Sequence, residues 1–206
     1  MFDRQILALT KPLVDTVAMS VVNRGITANQ VSLFGFAFGV LAVALISFGE
    51  ISWAILPLLV NRLSDGVDGA VARLEGPTDQ GAFLDITLDF LFYAGVPLAF
   101  AVCDHEENAL AAAALLAAFI GTGVTFLAFA IMAEKRGEKS SEYPSKSFYY
   151  LGGLAEGSET VACFVTMCLW PQHFAVIAYA FAALCCITTF TRMVEGWQRF
   201  SEPAKS

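Results

Sequence analysis

Long apolar stretches alternate with short polar turns along most of this chain. A membrane-spanning helix needs roughly 20 mostly apolar residues. Six segments have this length and character, and they lie at about 30–48, 52–73, 82–102, 109–133, 148–169 and 174–194. They predict an all-α integral membrane protein with six transmembrane helices. Since the six segments fill most of residues 1–206, we expect one transmembrane domain and no second domain.

The first 24 residues have a different pattern, in which apolar residues recur at helical spacing between charges. Ile6, Leu9, Leu13 and Val17 lie about one turn apart. This spacing is typical of an amphipathic helix on a membrane surface. A secretory signal would need a continuous apolar core, which this segment lacks. We therefore expect 1–24 to form an N-terminal interfacial helix on the cytoplasmic side, with a disordered leader as the alternative.

The basic residues predict how the helices are oriented. With a cytoplasmic N-terminus, all twelve Lys and Arg fall at or near cytoplasmic helix ends. The opposite turns, around 49–51, 103–108 and 170–173, contain none. Lys and Arg are enriched in cytoplasmic loops. We therefore expect both termini in the cytoplasm.

Composition agrees with a membrane protein and adds little about partners. The chain is 57% hydrophobic, with a mean hydropathy of +0.64 and a formal net charge of −7. We expect membrane lipids around it and no nucleic acid. Gly35 and Gly39 form a GxxxG pattern, which permits close helix contact either within the chain or in a dimer.

Aspartates cluster at 65–89, between segments that otherwise suit hydrocarbon. Ionised side chains are costly there and usually mark a functional site. Asp65, Asp68, Gly69 and Ala72 share one helix face by their i, i+3, i+4, i+7 spacing, and Gly81, Asp85 and Asp89 share a face of the next helix. Gly76 and Pro77 predict a turn that makes the two helices an antiparallel hairpin. Asp68 should then lie opposite Asp85, and Asp65 opposite Asp89.

Four such carboxylates would repel one another unless cations lay among them. Oxygen ligands without His or Cys favour hard ions such as Mg²⁺, Mn²⁺ or Ca²⁺. Four carboxylates suit a pair of ions, which is a recurrent arrangement for displacement at phosphorus. Gly69 and Gly81 leave room for a ligand, and Arg73 can neutralise a phosphate or simply mark the cytoplasmic helix end.

Eight positions of this stretch resemble the signature of the CDP-alcohol phosphotransferase family, integral membrane enzymes of phospholipid biosynthesis. The signature reads DxxDGxxAR, a spacer and GxxxDxxxD. It is filled here by Asp65, Asp68, Gly69, Ala72, Arg73, Gly81, Asp85 and Asp89. The stretch GITANQVSLFGF resembles the start of the family's first helix, with Ala28 where proline is usual. The resemblance covers about residues 1–133, and the family's six helices match the six segments.

The resemblance implies that an alcohol hydroxyl attacks the β-phosphorus of a CDP-linked lipid, with CDP-diacylglycerol as the expected donor, and that CMP is released. It implies two Mg²⁺ or Mn²⁺ ions, one held by Asp65, Asp68 and Asp85 and one by Asp65, Asp85 and Asp89. Asp89 would also deprotonate the acceptor. The residues implied to bind the CDP moiety are Gly69, Ala72, Arg73, Thr78, Gly81, Thr27 and Asn29. A homodimer in the bacterial inner membrane, with its active site facing the cytoplasm, is also implied.

The alcohol acceptor is expected to meet polar residues beyond the signature. Glu156 and Glu159 should lie about two turns into the fifth predicted helix, as deep as the aspartates. There they could hydrogen-bond a polyol or pair with Arg192, or else belong to a solvated helix mouth. Lys146 and Arg136 could face the same cavity. The sequence leaves the identity of this small alcohol or alcohol phosphate open.

Two other functions could use aspartates inside a membrane. A membrane prenyltransferase also binds a diphosphate through Mg²⁺, but its aspartate motifs lie on separated helices. A cation or proton transport protein could use the carboxylates, but it would not need the glycines, Ala72 and Arg73 at these spacings.

Overall fold

The computed structural model describes residues 3–137 and 155–201, with side chains described in 11–137 and 155–201. All secondary structure in these ranges is helical. The helices are α1 Asp3–Val22, α2 Ala28–Ser47, α3 Ile51–Glu75, α4 Asp79–Cys103, α5 His105–Lys135, α6 Gly157–Leu169 and α7 Phe174–Ser201. A 3₁₀ turn at Pro171–His173 precedes α7. The prediction of an all-helical chain is therefore confirmed for the described residues.

Within the described residues, four helices are long and apolar enough to cross a membrane: α2, α4, α5 and α7 with its preceding turn. The 25 residues of α3 would also reach across, at roughly 37 Å. However, charged side chains in its second half reduce its hydropathy. The described part of α6 has 13 residues, and its predicted beginning at 148–154 lies outside the described residues. Four of the six predicted spans are therefore supported by length and composition.

The helix α1 confirms the predicted helix near the N-terminus and packs against α3. Ala18 of α1 is buried with Val67, Ala70 and Val71 of α3 and with Val31 of α2. The opposite face of α3 carries Asp65 and Asp68. The apolar contact with α1 therefore fixes the side of α3 from which the aspartates project.

A close contact between α2 and α3 rests on the GxxxG glycines. A Cβ atom added at Gly35 would lie 2.6 Å from Ser64 Cβ, and one added at Gly39 would lie 2.9 Å from the Phe92 ring. Real Cβ atoms do not approach that closely, so both positions require glycine. The glycines thus pack helices within the chain, and they no longer support the predicted dimer.

The helices α3 and α4 do not pack along each other as the hairpin prediction assumed. Instead α2 packs along both of them, while few Cα atoms of α3 and α4 approach within 8 Å. The turn at 76–78 joins the two helices at one end only. The physical reason is the Gly35 and Gly39 face, which lets α2 lie close against both neighbours. A cleft therefore opens between α3 and α4, with α2 as its floor.

Aromatic side chains form the core between α4, α6 and α7. Phe92 and Phe100 of α4, Phe164 of α6 and Phe174 of α7 are almost fully buried in one core. The Phe100 and Phe174 rings stack with their centroids 4.5 Å apart. This core holds α4 against α6 and α7 and so fixes one wall of the cleft.

Candidate active site: an acidic cleft between α3 and α4

Three carboxylates from two helices converge in the cleft. Asp65 and Asp68 lie one turn apart on α3, and Asp85 faces them from α4. Each offers an oxygen, and these oxygens all lie within 4.8 Å of one another. Asp68 is buried, with 5% of its surface exposed. Helical spacing therefore brings Asp65 and Asp68 together on α3, and the packing of α2 against α3 and α4 brings Asp85 to them.

The lining of the cleft comes from α2, α3 and α4. Asp89 lines it one turn beyond Asp85, but its carboxylate is not among the three converging ones. Among the residues that the structure describes, the lining consists of Ser32, Gly35, Phe36, Asn61, Arg62, Asp65, Asp68, Asp85, Leu88 and Asp89. The four aspartates thus share one cavity but belong to two different charge environments.

Ser32 on α2 holds one of the converging aspartates. Its Oγ atom donates a hydrogen bond of 2.5 Å to Asp68 Oδ2. A hydrogen bond to an ionised acceptor is stronger than a neutral one and fixes the carboxylate's direction. Because Asp68 is buried, this bond orients a carboxylate that has little solvent around it. Ser32 was not among the predicted site residues, although it lies one turn after Ala28 at the start of the same helix.

Asp89 is paired with a basic residue of α3. Arg62 Nη2 donates to Asp89 Oδ1 at 2.9 Å, and Arg62 Nη1 lies 3.9 Å from Asp65 Oδ2. Arg62 lies near the middle of α3, where only 11% of its side chain is exposed. The prediction that every basic residue marks a helix end is therefore wrong for Arg62. The i, i+3 spacing of Arg62 and Asp65 inside an apolar helix was the signal that could have identified it.

The Arg62 side chain is held from several directions. Its guanidinium lies over the rings of Phe92 and Tyr93, at 4.7 Å and 5.2 Å from their centroids. Its Nε donates to Asn61 Oδ1 at 2.7 Å and its Nη1 to the Tyr93 hydroxyl oxygen at 3.1 Å. Asn61 in turn donates to the Gly35 carbonyl at 2.9 Å. Arg62 is therefore anchored to α2, α3 and α4 together.

The residues predicted to bind the CDP moiety lie around the helix ends beside the cleft. Thr27 and Thr78 are the N-cap residues of α2 and α4, and the Thr78 side chain accepts a hydrogen bond from the Gly81 N–H at 3.1 Å. A Cβ atom at Gly81 would lie 3.1 Å from Asn29 Oδ1. The first turns of α2 and α4 therefore meet at Gly81, and exposed N-terminal N–H groups favour phosphate.

Arg73 and Ala72 complete this group on the last turns of α3. Arg73 is exposed, while Ala72 is partly buried. A Cβ atom added at Gly69 would lie 3.4 Å from Arg73 Nη1, so the guanidinium lies over the glycine. The absence of a side chain at Gly69 therefore leaves the guanidinium close to the helix backbone, next to Asp68 in the chain and one turn from Asp65.

Glu156 and Glu159, two of the predicted acceptor residues, are not among the described residues that line the acidic cleft. Glu156 is buried but immediately precedes α6, and Glu159 lies in the first turn of that helix. The expectation that they lie two turns inside a helix is wrong, because the backbone of Glu156 is extended. Glu159 Oε2 accepts a hydrogen bond from Ser158 Oγ at 3.0 Å.

The predicted basic acceptor residues make contacts of their own. Arg192 is buried, and its Nη1 donates to the Thr122 carbonyl at 3.2 Å. Arg136 donates to the carbonyls of Arg199 and Phe200 at 3.0 Å and 2.8 Å, which attaches the end of α5 to the end of α7. Lys146 lies outside the described residues. An acceptor role for these residues stays a prediction.

The fold and the acidic cleft together define a helical membrane protein with a carboxylate site among apolar helices. Residues 25–191 match the family model for CDP-alcohol phosphatidyltransferase, and the chain belongs to this family of phosphotransferases of phospholipid biosynthesis. The resemblance found in the sequence is confirmed. Family membership also decides against the prenyltransferase and transport alternatives.

Two relatives match this chain over very different lengths. The chain is 50% identical over 197 residues to the inner membrane protein YnjF of Escherichia coli, covering 96% of each chain. It is 43% identical over 75 residues to the phosphatidylinositol phosphate synthase of Streptomyces avermitilis, covering 35% of this chain and 30% of the relative.

Solved structures of the Mycobacterium tuberculosis phosphatidylinositol phosphate synthase have the same fold. The structure with CDP-DAG bound has a TM-score of 0.67 at 23% identity, covering 90% of this chain and 94% of that one. The structure in complex with manganese and citrate also has a TM-score of 0.67 at 23% identity, covering 89% and 88%. At this identity the likeness establishes the fold alone.

Proposed function

We propose that this protein transfers the phosphatidyl group of CDP-diacylglycerol to the hydroxyl of a small alcohol or alcohol phosphate and releases CMP. The observation that carries this proposal is the convergence of Asp65, Asp68 and Asp85, whose oxygens lie within 4.8 Å of one another among apolar helices. Further support comes from the related fold of a synthase whose structure contains CDP-DAG.

The converging carboxylates fit a hard divalent cation, Mg²⁺ or Mn²⁺. Their donor atoms are all oxygens, and oxygens on opposite sides of such an ion are about 4–5 Å apart. A related fold has been solved in complex with manganese. A cation bound by Asp65, Asp68 and Asp85 would screen the charge on the diphosphate and stabilise the attacking and leaving oxygens. The sequence predicts two ions, although Arg62 lies beside the position between Asp65 and Asp89.

Asp89 is the proposed general base. The acceptor oxygen forms a bond to the β-phosphorus as the bond from that phosphorus to the bridging oxygen breaks, and CMP leaves with the bridging oxygen. The proton of the acceptor hydroxyl passes to the Asp89 carboxylate and then to solvent. Asp89 suits this role because 27% of its side chain is exposed, so an acceptor in the cleft can reach it.

The CDP moiety is proposed to lie between Arg73 and the first turns of α2 and α4. Gly69 and Gly81 allow the diphosphate to approach the backbone, and Arg73 supplies a positive charge over Gly69. Asn29 and Thr27 lie at the start of α2, while Thr78 caps α4 and Ala72 lies beside the cleft on α3. These positions keep the donor at one end of the aspartate cleft.

The location and orientation of the protein in the membrane are also part of the proposal. We propose a multi-pass protein of the bacterial inner membrane with six spans, cytoplasmic termini and a cleft facing the cytoplasm. The similarity to an inner membrane protein of Escherichia coli supports the location, and the distribution of Lys and Arg supports the orientation. A homodimer remains part of this proposal on the family resemblance alone.

The function is tested by CMP release from CDP-diacylglycerol with purified protein, Mg²⁺ or Mn²⁺ and a panel of alcohols that includes glycerol phosphate, inositol phosphate and serine. We expect release that requires both the metal and one acceptor and that is lost in Asp89→Asn. The substitution keeps the shape of the side chain but removes its ability to accept a proton. Equal release by the variant would contradict the role of Asp89.

The acceptor residues are tested by Glu159→Ala with the acceptor that the panel identifies. We expect turnover to fall by about 10² while CMP binding is retained, because a hydrogen bond to the acceptor alone would be lost. Glu134→Ala, at an exposed position near the end of α5, is the matched control. Turnover in Glu159→Ala equal to that of the control would remove Glu159 from the acceptor site.

A further inference from the structure

We propose that Arg62 and Tyr93 are positioning residues for the reaction. Tyr93 holds the Arg62 guanidinium, and the guanidinium directs the carboxylate of Asp89 toward the acceptor. This inference rests on the proposed function, because it concerns how the proposed general base is oriented. Neither residue belongs to the eight signature positions identified in the sequence. Their role therefore goes beyond that of the signature residues.

The proposed base and the tyrosine share one face of α4. Asp89 and Tyr93 are four residues apart, so Tyr93 lies one turn further along the helix. Arg62 of α3 donates to both of them, from Nη2 to Asp89 Oδ1 at 2.9 Å and from Nη1 to the Tyr93 hydroxyl oxygen at 3.1 Å. The donors of a guanidinium form a rigid planar fork. Holding one branch on Tyr93 therefore fixes the direction of the branch that bonds to Asp89.

The Arg62 guanidinium is also held by contacts that do not involve the carboxylates. It lies 4.7 Å and 5.2 Å from the ring centroids of Phe92 and Tyr93, and its Nε donates to Asn61 Oδ1 at 2.7 Å. A cation with little water around it is attracted to aromatic faces, and only 11% of the Arg62 side chain is exposed. We therefore expect the guanidinium to stay in place when the cleft contains cations and substrates.

A hydrogen bond from Arg62 leaves the Asp89 carboxylate able to take part in the reaction. An ionised carboxylate has two oxygens that together can accept about four hydrogen bonds. Asp89 can therefore bond to Arg62 and still contact a cation or accept the proton of the acceptor. Carboxylates that bind metals are commonly oriented by hydrogen bonds of this kind. The proposed role of Arg62 is the same whether one cation or two are bound.

The pair lies at the end of the aspartate row that is remote from the proposed donor site. Along α4, Gly81 precedes Asp85 and Asp89, while Tyr93 follows them. A Cβ atom added at Gly157 would lie 3.7 Å from the Tyr93 hydroxyl oxygen, so the start of α6 adjoins the tyrosine. The predicted acceptor residues flank Gly157 in the chain. Arg62 therefore holds Asp89 on the side of the cleft where the acceptor is expected.

The test is steady-state CMP release by the full-length protein in detergent, at saturating Mn²⁺ and with the acceptor that supports release in the wild type. We expect kcat to fall by about 10² in Arg62→Met and about tenfold in Tyr93→Phe, with the KM for CDP-diacylglycerol unchanged. Arg62→Lys keeps the charge and should recover part of the loss. Tyr179→Phe, at an exposed tyrosine of α7, is the matched control and should equal the wild type.

The double variant Arg62→Met/Tyr93→Phe separates positioning from a merely structural role. If Tyr93 acts through Arg62, the double variant should turn over at the rate of Arg62→Met alone, because residues that act as a unit are not additive. Losses that multiply in the double variant would show that Tyr93 acts independently of Arg62, and this result would overturn the inference.

The remaining outcomes distinguish this inference from the proposed function. Release by the wild type with an equal kcat in Arg62→Met would overturn the inference and leave the proposed function intact. A raised KM with an unchanged kcat would also overturn it, because Arg62 would then bind substrate. No release by the wild type with any acceptor would contradict the proposed function itself.

Thermal melting of each variant in detergent checks that it is folded. Tyr93→Phe keeps the ring and its packing, so its kcat relative to that of Tyr179→Phe decides the matter if Arg62→Met does not fold. Equal kcat values in these two tyrosine variants would overturn the inference.

Discussion

Single side chains on α2 control how the carboxylates of the cleft are directed. Ser32 is the clearest example, because it bonds to the buried Asp68 from the helix that forms the floor. Residues that hydrogen-bond a metal ligand commonly change metal affinity by 10–100-fold when removed. Asn61 of α3 has a different role, because it joins Arg62 to the Gly35 carbonyl of α2.

We predict that Ser32→Ala weakens Mn²⁺ binding by about tenfold, because the Asp68 carboxylate loses the bond that orients it. Calorimetric titration of Mn²⁺ measures the effect. Ser47→Ala is the matched control, since Ser47 Oγ donates to the carbonyl of Val43 in its own helix. Equal affinities in the two variants would show that Ser32 does not prepare the site.

At this scale the sequence predicted the aspartates well and their basic partner poorly. Helical spacing alone places Asp65 beside Asp68 on α3, whereas the approach of Asp85 from α4 depends on the packing of α2 along both helices. Arg62 was predicted near a cytoplasmic helix end because the preference of Lys and Arg for cytoplasmic loops does not distinguish a buried arginine from one at a helix end. Whether an arginine ends a helix or is buried in it depends on what packs against it, here the rings of Phe92 and Tyr93.

At the scale of helices, the contact of α2 with α3 shapes the cleft. Gly35 lies against Ser64, only one residue from Asp65 in the chain. A methyl group at Gly35 would push the two helices apart, and overpacking of this kind typically costs about 1–3 kcal/mol. The same displacement would move the floor of the cleft away from Asp68, so that stability and metal binding should change together.

We predict that Gly35→Ala lowers the melting temperature and weakens Mn²⁺ binding, because the added Cβ would lie 2.6 Å from Ser64 Cβ. Gly66→Ala introduces the same change into α3, where the nearest atom would be 3.9 Å away, an ordinary contact. Thermal unfolding in detergent compares the two variants. A Gly35→Ala protein as stable as Gly66→Ala would contradict the packing described for α2.

Hydropathy predicted where the helices lie in the sequence better than it predicted which helices pack against each other. The predicted segments 82–102 and 109–133 correspond to α4 Asp79–Cys103 and α5 His105–Lys135, which extend further because Thr78 and Asp104 cap them. The expected direct packing of α3 along α4 is not observed, because order along the chain does not reveal that α2 packs along both. The predicted approach of Asp68 to Asp85 is nevertheless confirmed. The glycines of α2 show that a helix will pack closely against another, but the local sequence does not show which helix that will be.

At the scale of the whole molecule, large apolar side chains cover the outer surface. Trp53, Phe83, Phe190 and Trp197 are each more than two thirds exposed. A soluble protein rarely exposes so much apolar surface, whereas lipid accommodates it. The charged residues of the cleft face inward instead, as expected of ionisable groups inside a membrane.

We predict that reporter fusions will place both termini in the cytoplasm, because basic residues are absent from the opposite turns. A fluorescent protein at the C-terminus should fluoresce, and alkaline phosphatase at that site should be inactive. Alkaline phosphatase inserted after Asp104, between α4 and α5, is the matched control and should be active. The reverse pattern would invert the proposed orientation and place the cleft on the wrong side for a cytoplasmic nucleotide.

The most direct measurement is anomalous diffraction from crystals of the protein grown with Mn²⁺ and CDP-diacylglycerol. We expect a manganese peak among Asp65, Asp68 and Asp85, in contact with the diphosphate, with Asp89 facing the β-phosphorus. The nucleotide should lie by Arg73 and the first turns of α2 and α4. A CDP lipid bound with no manganese at these aspartates would contradict the claim that the acidic cleft carries the phosphotransfer.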